Sequence, residues 1–262
     1  MYFKAGYTRK LQFNLKIIPR LISDYLMSKH QPPRVEGLME ITDQNISPRL
    51  GPSHPNGIKK VQIGCGPHNI LTDWWNVDIR PFPGIDGVMD VTQPWPFAGV
   101  EYVYGEHFLE HLSLEGAVDF LNNAWNSLKP GGIIRLSTPS LEWVLSTHFN
   151  LSEPSVQQRI SSTFAINRAF HGWGHQFLYS QEFLTSLLEN LGWREIKYCE
   201  YGKSEQPALT KLERHGRVSF FNGYPSVWIV EAIRGDSPSN SDIAAYNNFL
   251  EQSYIKYVRG GH

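Results

Sequence analysis

The stretch Val61-Gln-Ile-Gly-Cys-Gly-Pro67 indicates how this chain folds. It is the end of a short apolar segment that begins near Gly57 and is typical of a buried strand. Gly64 and Gly66 follow this segment directly. Glycine turns sharply and lets a ligand approach the backbone because it lacks a Cβ atom. The stretch therefore predicts a strand that ends in a tight turn, where ligands bind in open α/β sheets.

Strand and helix patterns alternate through the rest of the chain. Ser113 and Ser180 each precede a helical pattern of apolar residues and are predicted as N-caps. Two late strands, 195–201 and 226–232, are predicted to form a hairpin at the sheet edge. This order predicts an α/β, Rossmann-like fold with a mostly parallel central sheet, helices on both faces and an antiparallel late strand. The other predicted strands are Asn76–Ile79, Val88–Val91, Glu101–Tyr104 and Ile133–Thr138.

The flanking segments differ from this pattern. Residues 1–55 are predicted as a helical and irregular extension, and 236–262 as a helical tail. Within the central domain, 56–235, residues 139–179 are predicted as an irregular, aromatic and histidine-rich insertion that would cover one side of the ligand site. Residues 1–30 are basic with helix-spaced apolar side chains, so they could pack on the core, on a partner or on a membrane surface. Polar segments 203–207 and 211–215 are predicted at the surface, the second as a short helix.

Composition excludes several classes of protein. The 262 residues carry a formal net charge of −1, which argues against nucleic acid as a partner. Cys65 and Cys199 are isolated, which argues against a disulfide framework and fits a cytoplasmic location. No apolar run is long enough to predict a transmembrane helix.

Acidic residues follow two neighbouring predicted strands. Asp78 ends the second strand, where a carboxylate can accept two ribose hydroxyls, and Asp90 ends the third, within reach of an adenine amine. A dinucleotide is a poorer fit, since Asn69 stands where the third glycine of its fingerprint would be. The pattern therefore favours a nucleoside ligand without a pyrophosphate.

Four further motifs follow the opening stretch in order: Trp75–Ile79, Asp90–Phe97, His107–Leu112 and Leu128–Gly132. Together the five motifs resemble the class I S-adenosylmethionine-dependent methyltransferases, and more narrowly a bacterial branch similar to methyltransferase type 11. Members of that branch accompany cell-envelope or secondary-metabolite pathways. The likeness covers residues 58–138 well and continues loosely to about residue 232.

The resemblance implies S-adenosylmethionine as cofactor, with S-adenosylhomocysteine as its product. Asp78 and Ile79 would contact the ribose and adenine, Asp90 and Val91 the adenine, and Gly105 and Glu106 the methionine side. Two departures are that Gln62 replaces a usual acidic residue and that a third glycine near His68 is absent. The turn residues expected to contact the cofactor are Gly64, Cys65, Gly66 and Pro67.

Histidines supply candidate bases for methyl transfer. A neutral imidazole can take a proton from the molecule that accepts the methyl group. The candidates for that catalytic role are His107, His171 and His175, and the last two lie in the insertion 139–179 on the acceptor side. His111 is expected to be structural. The string His107-x-x-Glu110-His111 also resembles the metal site of small-RNA 2′-O-methyltransferases, but we expect no metal here.

The predicted activity is methyl transfer to an oxygen or nitrogen of a small molecule such as a sugar, metabolite or natural product. One alternative is an RNA 2′-O-methyltransferase-like enzyme with a metal at the His/Glu cluster. Another is a non-catalytic partner subunit with the same fold. The replacement of the usual acidic residue by Gln62 favours this alternative. A homodimer is a further expectation.

Overall fold

The computed structural model describes residues 57–257 except 151, 153, 216, 217, 238 and 239. The predicted extension 1–55, with its basic segment 1–30, therefore lies outside the described residues almost entirely. No helix in the described part of the chain combines the length and the apolar character needed to cross a membrane.

The strands in the described part of the chain are β1 (Lys60–Ile63), β2 (Trp75–Asp78), β3 (Gly87–Val88), β4 (Val100–Glu106), β5 (Leu128–Pro139), β6 (Trp193–Tyr198), β7 (Phe220–Phe221), β8 (Tyr224–Pro225) and β9 (Val227–Arg234). Seven of them form one sheet in the order β3-β2-β1-β4-β5-β9-β6, and β7 pairs with β8 in a separate hairpin. The first five strands in this order run parallel to one another, whereas β9 lies antiparallel to both of its neighbours, β5 and β6. The topology confirms the predicted α/β fold with a mostly parallel sheet and an antiparallel late strand.

Within the described residues, five α-helices connect or follow these strands: α1 (Leu114–Ser127), α2 (Leu141–His148), α3 (Val156–His171), α4 (Gln181–Asn190) and α5 (Asn240–Tyr257). Both predicted N-caps are confirmed. The Ser113 hydroxyl accepts a hydrogen bond from the Gly116 amide, and the Ser180 hydroxyl accepts one from the Phe183 amide. These bonds satisfy amides that have no partner inside the first turn of a helix.

The prediction that residues 139–179 are irregular is wrong, because α2 and α3 lie within them. Ser155 and Gln158 form a reciprocal capping box at the start of α3. Only Ala169 is buried along that helix, while Val156, Ile160 and Phe164 are exposed. The sequence has Val156, Ile160 and Phe164 at helical spacing, but the helix packs through Ile166, Ala169 and Phe170 instead.

The sheet is covered differently on its two faces. Helices α1 and α4 pack on the face that carries Val103 and Leu136. On the opposite face, Tyr104 and Ile133 pack against Trp74, Leu209 and Leu212. Within the described residues this second face is covered by turns and by the 3-10 helix Pro207–Leu209.

A buried cluster of charges fixes that cover. Arg135 on β5 is fully buried, and its guanidinium lies 2.6 Å from a Glu213 carboxylate oxygen and 2.5 Å from one of Glu231. It also donates a hydrogen bond to the Lys203 carbonyl. The prediction of a surface segment at 211–215 is therefore wrong for Leu212 and Glu213, which are buried. The short helix predicted there is wrong as well, since these residues form no helix. A buried guanidinium requires buried carboxylates, and these draw the segment inward.

Removal of one charge from this cluster should destabilise the fold. We expect Glu213→Gln to lower the free energy of unfolding by about 3 kcal/mol, because it leaves Arg135 with one carboxylate in place of two. Urea denaturation measures the difference. The exposed Glu205→Gln variant, whose side chain pairs with Lys197, is the control and should unfold like the wild type. Equal stability of the two variants would contradict the structural role of Glu213.

Candidate functional site

The turn after β1 depends on two glycines in the left-handed region, Gly64 at φ +62° and Gly66 at φ +58°. A Cβ added to Gly64 would lie 2.6 Å from Cδ2 of Phe108, so this position must be glycine for steric reasons as well. A Cβ added to Gly66 would meet no heavy atom within 4 Å. The turn therefore borders open space at the carboxyl end of β1.

Asp78 holds this turn against the end of β2. Its carboxylate accepts hydrogen bonds from the Gly66 amide at 2.9 Å and from the Arg80 amide at 3.0 Å, one on each oxygen. The side chain is buried, whereas the adjacent Ile79 is 64% exposed. Asp78 and Ile79 thus place a hydrogen-bonding group beside an apolar surface, next to the glycine turn.

Asp90 and Val91 follow β3 at the same edge. One carboxylate oxygen of Asp90 accepts hydrogen bonds from the amide and the hydroxyl of Thr92. The other carboxylate oxygen has no hydrogen-bond donor within the part of the chain that the structure describes. Val91 is buried in the core. Asp90 can therefore accept a further hydrogen bond, while the Val91 side chain supports the site from below.

Three other predicted contact residues differ in how they face the site. Cys65 is buried, and burial, with the nearby charge of Asp78, raises the pKa of its thiol to about 12. Because the Cys65 side chain is buried, this residue offers backbone atoms to a ligand. Pro67 is exposed in the turn. Gly105 lies inside β4, where an added Cβ would be 3.2 Å from Leu136.

Glu106 organises the loop above the end of β4. Its buried carboxylate accepts hydrogen bonds from the backbone amides of Arg214 at 2.6 Å and His215 at 2.9 Å. It also lies within 3.2 Å of the His215 ring and of the Asn69 side-chain amide. We call the segment Glu213–His215 the strap. The strap also reaches the glycine turn, because the Arg214 guanidinium hydrogen-bonds the His68 carbonyl and the Asn69 side chain.

His107 directly follows β4 and adopts a left-handed backbone conformation at φ +46°. Its Nδ1 atom lies 3.1 Å from a carboxylate oxygen of fully buried Glu110, whose other oxygen accepts a hydrogen bond from Thr138. Burial disfavours the imidazolium, but the hydrogen bond and charge of Glu110, with the charge of Glu106, outweigh it and raise the pKa of His107.

A small cleft opens at the carboxyl ends of β4 and β5. The imidazoles of His107 and His215 both line it, with ring centroids 4.8 Å apart. The sequence analysis did not identify His215 as a site residue. The cleft is lined by Glu106, His107, Ser137, Tyr201, Glu213, His215, Val218, Val227 and Ile229.

The other predicted catalytic histidines lie elsewhere. His171 is exposed at the end of α3, and neither His171 nor His175 lines the cleft. His175 instead approaches His111 and Glu110, and one potential ligand atom from each of these three residues lies within 4.8 Å of the others. The His175 Nδ1 atom hydrogen-bonds the Ala169 carbonyl, which leaves its Nε2 atom available to a ligand.

Comparison with known proteins found no matching family model and no matching curated protein. Similar solved structures include a S-adenosylmethionine-dependent methyltransferase from Archaeoglobus fulgidus, with 18% identity over 69% of this chain and 88% of that chain and a TM-score of 0.45. A second, from Thermotoga maritima, is described as a possible histamine N-methyltransferase, with 14% identity, 67% and 82% coverage and a TM-score of 0.42. A third is described as a possible exported protein from Bordetella parapertussis, with 12% identity, 68% and 63% coverage and a TM-score of 0.40. At these sequence identities and TM-scores, the similar structures do not assign an activity, a substrate or a residue role to this chain. The fold assignment rests on the sheet order described above.

The His107–Glu110 contact predicts a specific pH dependence. In the wild type, the His107 imidazole should titrate above its usual pKa, and Glu110→Gln should lower that pKa because the variant lacks the stabilising charge. The pair therefore stabilises the fold below the pKa of the unfolded imidazole, and this contribution is lost as the pH rises through the raised pKa. NMR of the His107 Cε1–Hε1 group against pH, with a chelator present, measures both values. The exposed Glu182→Gln variant is the control, and an unchanged His107 pKa in Glu110→Gln would contradict the assignment.

Proposed function

We propose that this chain binds S-adenosylmethionine at the carboxyl ends of β1 to β4 and methylates an oxygen or nitrogen of a small molecule. The observation that carries the proposal is the glycine turn tied to Asp78, with exposed Ile79 beside it. The Asp78 carboxylate suits the ribose hydroxyls, and the apolar surface of Ile79 suits the adenine. The open space at Gly66 leaves room for the methionine part of the cofactor.

The proposed contacts follow from the chemistry of each group. Each Asp78 oxygen accepts one backbone amide and retains a lone pair for a ribose hydroxyl. Ile79 would pack against the adenine, and the second oxygen of Asp90 would accept its amine. Glu106 would line the methionine end, where its buried carboxylate holds the strap in place through the Arg214 and His215 amides. The remaining proposed contacts are Gly64, Cys65, Gly66, Pro67, Val91 and Gly105.

The proposed role of His107 is to remove the acceptor's proton. When bound, the cofactor would supply a methyl carbon activated by its sulfonium. A Glu110 carboxylate favours the tautomer of His107 with a proton on Nδ1, so that Nε2 is free to accept the acceptor's proton. The strap and the glycine turn would hold the acceptor in line with the methyl group, since positioning supplies much of the rate in such reactions. His171 and His175 remain candidates for the same role. Neither lines the cleft, whereas His107 does, and its position there supports His107.

The proposed acceptor is a small molecule, since the cleft is small and the net charge of −1 gives no broad attraction to nucleic acid. We further propose that the protein works in the cytoplasm, which agrees with its two free cysteines. Transfer of a labelled methyl group from S-adenosylmethionine to a small-molecule extract tests the activity, with His107→Gln compared with wild type. Cofactor binding without any labelled product would favour the partner-subunit alternative.

The assignment of Asp78 can be tested by substitution. We expect Asp78→Asn to weaken S-adenosylhomocysteine binding by about 1–3 kcal/mol, because the amide keeps one acceptor for the Gly66 turn but lacks the charge and the second acceptor. Isothermal titration calorimetry measures the affinity. Asp73→Asn, an exposed acid that precedes β2, is the control and should bind like wild type. Wild-type affinity in Asp78→Asn would reject the ribose contact.

A second candidate is the metal-assisted, RNA 2′-O-methyltransferase-like enzyme, which is favoured by the convergence of Glu110, His111 and His175. Two imidazoles and a carboxylate suit zinc and other divalent transition metals. The Ala169 carbonyl would orient His175 as second-layer partners of metal ligands do.

Metal analysis of protein purified without a histidine tag tests this candidate. The candidate predicts about one equivalent of a divalent metal, lost in His175→Gln and retained in His171→Gln. Only trace metal in the wild type would reject it.

A further inference from the structure

His215 forms a second imidazole–carboxylate pair in the cleft. Its Nδ1 atom lies 3.2 Å from a Glu106 oxygen, and its own backbone amide donates to the same oxygen. The Glu106 side chain is 3% exposed, whereas that of His215 is 64% exposed. A buried carboxylate therefore holds an accessible imidazole at the mouth of the cleft.

The two pairs come from different parts of the chain and meet in one place. His107 with Glu110 follows β4, and His215 with Glu106 joins the strap to β4. The two rings lie 4.8 Å apart between centroids. In each ring Nδ1 is engaged by a carboxylate, and neither Nε2 atom has a protein partner among the residues described. The cleft thus has two separate hydrogen-bonding points a few ångströms apart.

The charges around the cleft favour an uncharged ligand. Glu106 and Glu110 face the imidazoles, Glu213 is paired with Arg135, and the Arg214 guanidinium is bonded to the glycine turn. An anionic acceptor would meet buried carboxylates. The cleft is also lined by the apolar side chains of Val218, Val227 and Ile229. A hydroxyl group on a carbon skeleton suits this mixture of imidazoles and apolar side chains.

We propose that His215 is an acceptor-binding residue and that the cleft takes an acceptor with two neighbouring hydroxyl groups. His107 receives the proton of the hydroxyl that is methylated, and His215 hydrogen-bonds the adjacent hydroxyl. His215 then determines which of the two oxygens faces the methyl group. This inference rests on the function proposed above and makes oxygen the methylated atom.

The strap links this residue to the proposed cofactor site. Arg214, the neighbour of His215, binds the His68 carbonyl and the Asn69 side chain in the turn that follows Gly66. The turn that would hold the cofactor and the imidazole that would hold the acceptor are thus joined by one segment. For this reason the test uses protein saturated with S-adenosylhomocysteine.

The experiment is an NMR titration of histidine-labelled protein with two small probes, cis-1,2-cyclohexanediol and cyclohexanol. We expect the diol to shift the Cε1–Hε1 signals of both His107 and His215, and to bind about ten-fold more tightly than cyclohexanol because it makes one more hydrogen bond. His215→Gln should remove this preference without changing S-adenosylhomocysteine affinity. His148→Gln, the same change on α2 and outside the cleft, should retain the preference.

Three results would overturn the inference: equal affinity for the two probes, no response of His215 to the diol, or an unchanged preference in His215→Gln. Calorimetry on the same wild-type sample separates this failure from failure of the proposed function. Wild-type protein that binds S-adenosylhomocysteine normally but does not prefer the diol would reject only the role of His215. Absence of S-adenosylhomocysteine binding would count against the proposed function itself.

Discussion

The hydrogen bond from the Gly66 amide to Asp78 is the interaction on which the site depends. It joins the turn after β1 to the end of β2, and two left-handed glycines make that turn possible. Because β1 to β5 are parallel, their carboxyl ends meet at one edge of the sheet. Asp78 at the end of β2 and Asp90 after β3 therefore lie near the same turn. The two Glu–His pairs at the end of β4 lie near it as well.

The strap extends this arrangement to the second face of the sheet. Glu213 pairs with buried Arg135, and the next two residues donate their amides to Glu106. Loss of the Arg135 pairing would therefore affect more than stability, since the same segment places His215 in the cleft. Stability and the geometry of the site depend on one another here through consecutive residues of a single loop.

Local signals were sufficient to predict much of the fold. The glycine turn, the Ser113 and Ser180 caps and the alternation of strands with helices are read within a few residues of sequence. The third strand is shorter than predicted, with pairing limited to Gly87–Val88. Helix α3 is absent from the sequence prediction, although its capping box and the spacing of Val156, Ile160 and Phe164 are local signals for it.

Long-range contacts could not be predicted in this way. Glu213 is 78 residues from Arg135, and nothing near it in the sequence signals burial. For the same reason His215 was not recognised beside His107. The sequence offered His171 and His175 as equivalent partners, and only the path of the chain after α3 brings His175 to Glu110 and His111. The proposed cofactor contacts, in contrast, lie at strand ends, which local sequence patterns do predict.

Calorimetric titration with S-adenosylmethionine, S-adenosylhomocysteine and a nicotinamide dinucleotide tests the central claim most directly. The account predicts that the first two bind and that the dinucleotide does not, because the glycine turn lacks the third glycine and Asp78 and Asp90 suit a nucleoside without a pyrophosphate. Binding of the dinucleotide alone, or of none of the three, would contradict it.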